Sequence, residues 1–138
     1  MMSYMTKGNQ QGSAVLIADD EEGVVREISS TLEKAGFTVL TARNQSDVLN
    51  LCSKAGNPIQ LAIVDMAMPN TNGRELAERL YECYPGIRIL FTAGDETGDA
   101  QSARVSGRVI RFLHKPFRRA QLLGSVLKVL DEPLAFSA

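Results

Sequence analysis

The sequence predicts an α/β fold, a three-layer sandwich around a five-stranded parallel sheet. Three observations lead there. Five short apolar runs of strand length recur along the chain, at 14–18, 38–42, 61–64, 87–91 and 109–113. Between them, apolar residues fall three and four apart, the spacing of a helix buried on one side. Each strand-like run is followed by one helical pattern, an order that favours parallel pairing through crossover connections.

The first run, AVLIA (14–18), is apolar on both faces, as a central strand covered by helices must be. Val24, Val25, Ile28, Leu32 and Ala35 then mark a helix that Gly36 stops. TVLTA (38–42) is β-branched and mixed in polarity, which suits an edge strand. Val48, Leu49, Leu51, Cys52 and Ala55 form a short second helix, closed by Gly56, Asn57 and Pro58. LAIV (61–64) is wholly apolar. Leu76, Ala77, Leu80 and Tyr84 give a third helix between Gly73 and the Pro85-Gly86 pair, and IRILF (87–91) is the fourth strand. The segment 99–107 predicts a weak fourth helix with few apolar anchors. The surrounding stretch DETGDAQSARVSG should be the most mobile part of the fold. VIRFL (109–113) is the fifth strand, mixed enough for the other edge. Leu122, Leu123, Val126, Leu127 and Leu130 give a firm last helix. The expected shape is flavodoxin-like, a (βα)5 sandwich with strand order 2-1-3-4-5. Residues 1–12 read as a flexible N-terminal arm, 13–132 as the folded domain and 133–138 as a C-terminal tail.

Composition bounds the rest. The 138 residues are 44% hydrophobic and 22% charged, enough for one real core. The apolar runs are far too short to span a membrane, and the polar N-terminus has no signal-peptide core. No membrane association is expected, and the location expected is cytoplasmic. Cys52 and Cys83 lack metal or redox-motif spacing and read as reduced thiols. The net charge of −1 conceals an asymmetry. Residues 1–99 carry 8 Lys and Arg against 14 Asp and Glu, whereas residues 100–130 carry 7 and none.

In open parallel sheets the functional crevice lies past the carboxyl ends of the strands. Asp19, Asp20, Glu21 and Glu22 follow the first strand and Asp65 the third. Thr92, Ala93 and Gly94 follow the fourth, and His114, Lys115 and Pro116 the fifth. Each has an ordinary explanation: Asp19 and Asp20 as helix caps, Asp65 as a loop acid, Lys115 as a surface lysine. Together they are harder to dismiss. Three carboxylates (Asp19, Asp20, Asp65) converging at one sheet edge need compensation, and Lys115 supplies only one positive charge. Hard oxygen ligands without His or Cys suit Mg²⁺ or Mn²⁺. Carboxylates, a divalent cation, a lysine and a threonine hydroxyl make a phosphoryl site, with Asp65 as the nucleophile. His114, on the opposite side of its strand from its neighbour Lys115, reads as a structural or surface histidine.

The motifs VLIADDE, IVDMAMPNTNG, ILFTAG and FLHKPF, in this order on this frame, resemble the receiver domain of bacterial two-component signalling. The resemblance covers 13–132. It implies that Asp65 accepts phosphate from a histidine kinase or phosphotransfer histidine. It implies Mg²⁺ held by Asp20, Asp65 and the backbone carbonyl of Ala67, with Asp19 acting through water. Thr92 and Lys115 would bind the phosphoryl group, and the Lys115–Pro116 peptide would be cis. Thr92 and Phe112 would form the switch, with Phe112 turning inward as Thr92 moves toward the phosphoryl group. Family members often have Tyr there, and Phe112 lacks its hydroxyl; an ordinary core aromatic is the other reading. The small residues Ala67 and Gly94 stand where the family tunes phosphate lifetime.

Such a domain assists its own phosphorylation and dephosphorylation without turning over a separate substrate, so it is not expected to be an enzyme in the usual sense. A haloacid-dehalogenase-like phosphatase would need a second acid where Ala67 stands. A flavodoxin would not carry ADDEEG at its phosphate loop, and no GxxxxGK occurs. A non-phosphorylated interaction module of the same fold is the alternative. FLHKPF also resembles receivers fused to hybrid sensor kinases. The basic residues Arg104, Arg108, Arg111, Lys115, Arg118, Arg119 and Lys128 lie on the face around the fourth helix, fifth strand and last helix, which in such domains switches on phosphorylation and docks output partners. They suggest a partner with an acidic surface, against the plainer reading of a solvated basic face. Direct DNA binding is not expected, since the segment has few aromatics and no reading helix.

Overall fold

Side chains alternate across a strand, so a strand apolar at every position must be covered on both faces. That is the arrangement in a computed structural model of the chain, which describes residues 14–54, 58–94, 103–105 and 107–132. Its elements are β1 (Ala14–Ala18), α1 (Glu22–Lys34), β2 (Val39–Ala42), α2 (Gln45–Ser53), β3 (Ile59–Asp65), α3 (Gly73–Cys83), β4 (Arg88–Ala93), β5 (Ala103–Val105), β6 (Arg108–His114) and α4 (Arg119–Asp131). The expected arm at 1–12, the tail at 133–138 and most of the stretch expected to be mobile lie outside the described residues.

The sheet runs β2-β1-β3-β4-β6-β5. Its first five strands pair in parallel, in the order expected. Val15, Ile17, Leu61, Ile63 and Leu90 face one way and pack with Ile28 and Leu32 of α1 and Leu122 and Val126 of α4. Leu16, Ala18, Ala62 and Val64 face the other way, with Val48 of α2 and Leu76, Ala77 and Leu80 of α3. Each fully buried Leu or Ile contributes roughly 1.5–3 kcal/mol, so both helical layers are held mainly by this alternation. Asn44 and Asn72 fix where α2 and α3 begin, their side chains accepting from Asp47 N at 2.8 Å and Glu75 N at 3.1 Å.

One expectation fails. The weak helix at 99–107 is, in its described part, the strand β5, antiparallel to β6 with Ala103 opposite Ile110 and Val105 opposite Arg108. The physical reason is local. ARV and RVI flank a Ser-Gly dipeptide, and Gly107 takes φ +78°, which a hairpin turn needs and most residues resist. Val105 is thereby buried at 1% exposure, an anchor that the helical reading did not use. The sheet gains a sixth strand, and β6, expected at the edge, is interior.

Candidate functional site

Parallel order brings the carboxyl ends of β1, β3, β4 and β6 to one edge. Asp65 and Thr92 are the last or next-to-last residues of β3 and β4 and stand opposite each other in the register. Leu113 of β6 is opposite Thr92, and His114 is opposite Ala93. Lys115 then turns inward as its backbone N–H donates to Ala93 O at 2.7 Å. The next peptide, Lys115–Pro116, is cis. His114 is exposed.

The acidic side is built as tightly. Asp19 is 2% exposed and Asp65 3%, while Asp20 is exposed. Carboxylate oxygens of the three lie within 4.8 Å of one another. Asp19 Oδ1 accepts from Glu21 N at 2.9 Å, so it opens α1 as a turn residue and faces the cluster as well. Asp65 Oδ1 accepts from Ala67 N at 3.1 Å. Lys115 Nζ stands 3.1 Å from Asp19 Oδ2, 3.4 Å from Asp65 Oδ2 and 3.5 Å from Glu21 Oε1. Burial pushes the Asp19 carboxyl above the usual range. The Asp65 charge adds to that, and the Glu21 N–H and Lys115 offset it only in part. Burial works against the Lys115 charge, but Asp19, Asp65 and Glu21 outweigh it and hold the amine above its ordinary value.

Thr92 is 1% exposed, and its hydroxyl has no hydrogen-bond partner among the described residues. A buried hydroxyl left unpaired costs about 1–3 kcal/mol, so it needs a reason. Phe112 is partly buried, its ring 5.4 Å from that of Phe91 and tilted by 34°. The cluster opens into a cleft of about 730 Å³, lined by Val24, Ala67, Pro69, Gly94, Pro116 and Phe117 beside the acids.

Two features of the site were not read from the sequence. Glu21 reaches Lys115, whereas its neighbour Glu22 pairs with Arg43 at 3.0 Å. Nothing in DDEEG separates the two, because the path of the chain into α1 decides it. Gly73 lets α3 start against the β3 loop. A Cβ there would meet Met66 Sδ at 3.0 Å, a contact between residues seven apart that no periodicity announces.

The donor set is all oxygen, crowded, and short of positive charge. It fits a hard divalent cation and does not fit a soft one.

Comparison with known proteins agrees with the frame and the motifs. The family of the response regulator receiver domain matches residues 15–127, and the chain belongs to that family. It is 29% identical to the response regulator receiver protein CpdR of Brucella abortus, over 84% of this chain and 95% of that protein. It is 29% identical to the sensor kinase CckA of the same organism, covering 88% of this chain but 13% of the kinase. It is 34% identical to the heme response regulator HssR of Staphylococcus haemolyticus, over 83% of this chain and 50% of that regulator. The chain thus spans half or less of two of these relatives and nearly all of the third. Among solved structures, the chemotaxis response regulator CheY4 of Vibrio cholerae matches with a TM-score of 0.67 at 28% identity, covering 85% of this chain and 98% of that one. The receiver domain of the hybrid histidine kinase CckA matches with a TM-score of 0.70 at 22% identity, covering 87% and 100%, a likeness of fold. The protein is a signalling domain. No helix among the described residues is long and apolar enough to cross a membrane.

Proposed function

We propose that this domain carries a signal as a phosphoryl group on Asp65, received from a histidine kinase or a phosphotransfer histidine. The observation that carries the reading is the placement of Lys115 Nζ 3.4 Å from Asp65 Oδ2, inside a three-carboxylate cluster that opens to a cleft.

In the transfer, an Asp65 carboxylate oxygen attacks phosphorus, the bond from phosphorus to the donor nitrogen breaks, and the electron pair leaves on the imidazole. Lys115 faces the oxygens that gain charge, and the Thr92 hydroxyl, lacking a partner, is free to donate to one of them. The N–H of Ala67 holds the Asp65 carboxylate in place. Asp20, Asp65 and the carbonyl of Ala67 would hold Mg²⁺ directly, or Mn²⁺ in its stead, and Asp19 would act through water. A divalent cation held there would supply neutralisation of negative charge. Hydrolysis, in which water attacks phosphorus and the bond to the Asp65 oxygen breaks, releases inorganic phosphate and returns the free carboxylate, so there is no turnover of a separate substrate.

The output follows from packing. Thr92 gains a partner in the phosphorylated state, and the aromatic pair Phe91–Phe112 adjoins it across the register. Movement of Thr92 would let Phe112, half-buried, turn inward. The β6–α4 face would then dock a partner with an acidic surface, in the cytoplasm, as a free receiver or as a domain of a hybrid kinase.

Intact mass after incubation with Mg²⁺ and acetyl phosphate tests this. One added phosphoryl group, absent in Asp65→Asn and in the presence of chelator, is expected. No adduct, together with no Mg²⁺-dependent binding of beryllofluoride, overturns the reading in favour of an interaction module that is never phosphorylated.

A further inference from the structure

Away from the acidic cluster, at the ends of α2 and α3, stand two thiols. Cys52 stands near the end of α2 and Cys83 is the last residue of α3. Both are free, Cys83 exposed and Cys52 half-buried. Burial, and then the neighbouring Cys83 thiol, push the Cys52 thiol up. Their chain neighbours fix the approach: the Tyr84 hydroxyl donates to Leu51 O at 3.4 Å. Leu51, Cys52 and Tyr84 all pack on the core between the helices and the sheet. The Leu51-Cys52 step at the end of α2 and the Cys83-Tyr84 step at the end of α3 are therefore tied together by a contact that neither sulfur supplies.

We propose that Cys52 and Cys83 form a reversible intramolecular disulfide that staples α2 to α3, driven by exchange with a low-molecular-weight disulfide such as oxidised glutathione. Cys83 is the entry point because it is exposed. Its thiolate attacks one sulfur of glutathione disulfide, a Cys83–glutathione bond forms, and the first glutathione leaves as a thiolate. Cys52 then gives its proton to water and attacks the Cys83 sulfur. The Cys52–Cys83 bond forms and the second glutathione leaves. The two cysteines are oxidised by two electrons, and one glutathione disulfide is reduced to two thiols.

The order of events matters for Cys52. Burial, reinforced by the neighbouring Cys83 thiol and its charge, holds Cys52 well above an ordinary thiol. Cys52 is therefore the resolving thiol and exposed Cys83 the entry point. Reversal requires only a thiol reductant.

The test uses the full chain at low protein concentration with an excess of oxidised glutathione, read by intact mass and peptide mapping. The expected product has lost two hydrogen atoms, about 2 Da, and yields one cross-linked peptide pair containing Cys52 and Cys83. It reverts with dithiothreitol and melts several degrees higher than the reduced chain. Cys52→Ser should stop at a stable glutathione adduct on Cys83, and Cys83→Ser should react much more slowly. A wild-type chain that keeps the glutathione adduct, pairs between chains in proportion to concentration, or does not react at all overturns the proposal.

Discussion

Replacing Lys115 with Met keeps the length of the side chain and removes its charge. Asp19 and Asp65, 2% and 3% exposed, are then left facing each other with no cation among the described side chains. Truncating one partner of a buried ion pair costs about 3–5 kcal/mol, because the remaining charge stays desolvated. The Lys115 side chain keeps 19% exposure and the cleft admits water, so the cost falls at the lower end, about 3 kcal/mol. The contact with Glu21, whose side chain is 64% exposed, adds almost nothing. With a slope of about 2 kcal/mol per molar urea, the unfolding midpoint should drop by roughly 1.5 M. Urea titrations at neutral pH without divalent cations measure this. Adding Asp19→Asn to Lys115→Met should recover at least half of the loss, since it deletes the like charge. Millimolar Mg²⁺ should recover part of it in the single variant. A Lys115→Met chain within about 0.5 kcal/mol of the parent, an effect typical of surface changes, would refute the claim that the lysine holds the carboxylates together.

Three further outcomes follow from the geometry. Gly124 sits inside α4, exposed, with open space where a Cβ would stand; Gly124→Ala should stabilise by about 0.5–1 kcal/mol and raise the melting temperature by roughly 2–4 °C. Leu80, fully buried between α3 and the sheet, should cost about 3 kcal/mol when cut to Ala, read as a lowered urea midpoint with unchanged slope. Cys52 is pushed by burial, and then by Cys83, from 9.0 to about 12. The unfolded thiol ionises first as pH rises, so this contribution to stability is intact below pH 9.0 and lost progressively toward pH 12. Urea midpoints of the reduced chain should therefore fall more steeply above about pH 9 than those of Cys52→Ala, and identical slopes would dismiss the effect.

The parallel frame was legible because its determinants are local and repeated. AVLIA and LAIV are apolar at every position, a pattern that leaves a central strand little choice. The strand order then put Asp19, Asp65, Thr92 and Lys115 at one edge without any knowledge of distances. Where reading failed, two local signals competed. Residues 103–110 read ARVSGRVI, which is a hairpin with a Ser-Gly turn as readily as the end of a weak helix. The expectation of a regular (βα)5 alternation favoured the helix, but the bonds to β6 and the burial of Val105 decided for the strand. The contact of Glu21 with Lys115, and the thiol pair, were beyond sequence for a different reason. Each joins residues from separate elements, 94 positions apart in the first case, and depends on tertiary placement.

The same distinction bears on the basic third of the chain. Its seven cations look like an interaction patch only while they are counted along the sequence. Folded, Arg111 pairs with Glu132 at 2.8 Å and Arg119 with Glu27 at 3.0 Å, and Lys115 is held in the acidic cluster. The Arg108 guanidinium lies 4.0 Å above the centre of the Tyr81 ring. Among the described side chains, this leaves Arg118 and Lys128 without an ion pair inside the domain. A partner with an acidic surface would have to compete with Glu132 and Glu27 for Arg111 and Arg119, and exposed pairs of this kind are worth about 0–1 kcal/mol each. The net attraction is therefore that of a few charges, and partner binding should weaken only modestly as salt rises. A steep salt dependence would mean that docking breaks the Arg111–Glu132 and Arg119–Glu27 pairs, and charge removal at Glu132 should then tighten binding.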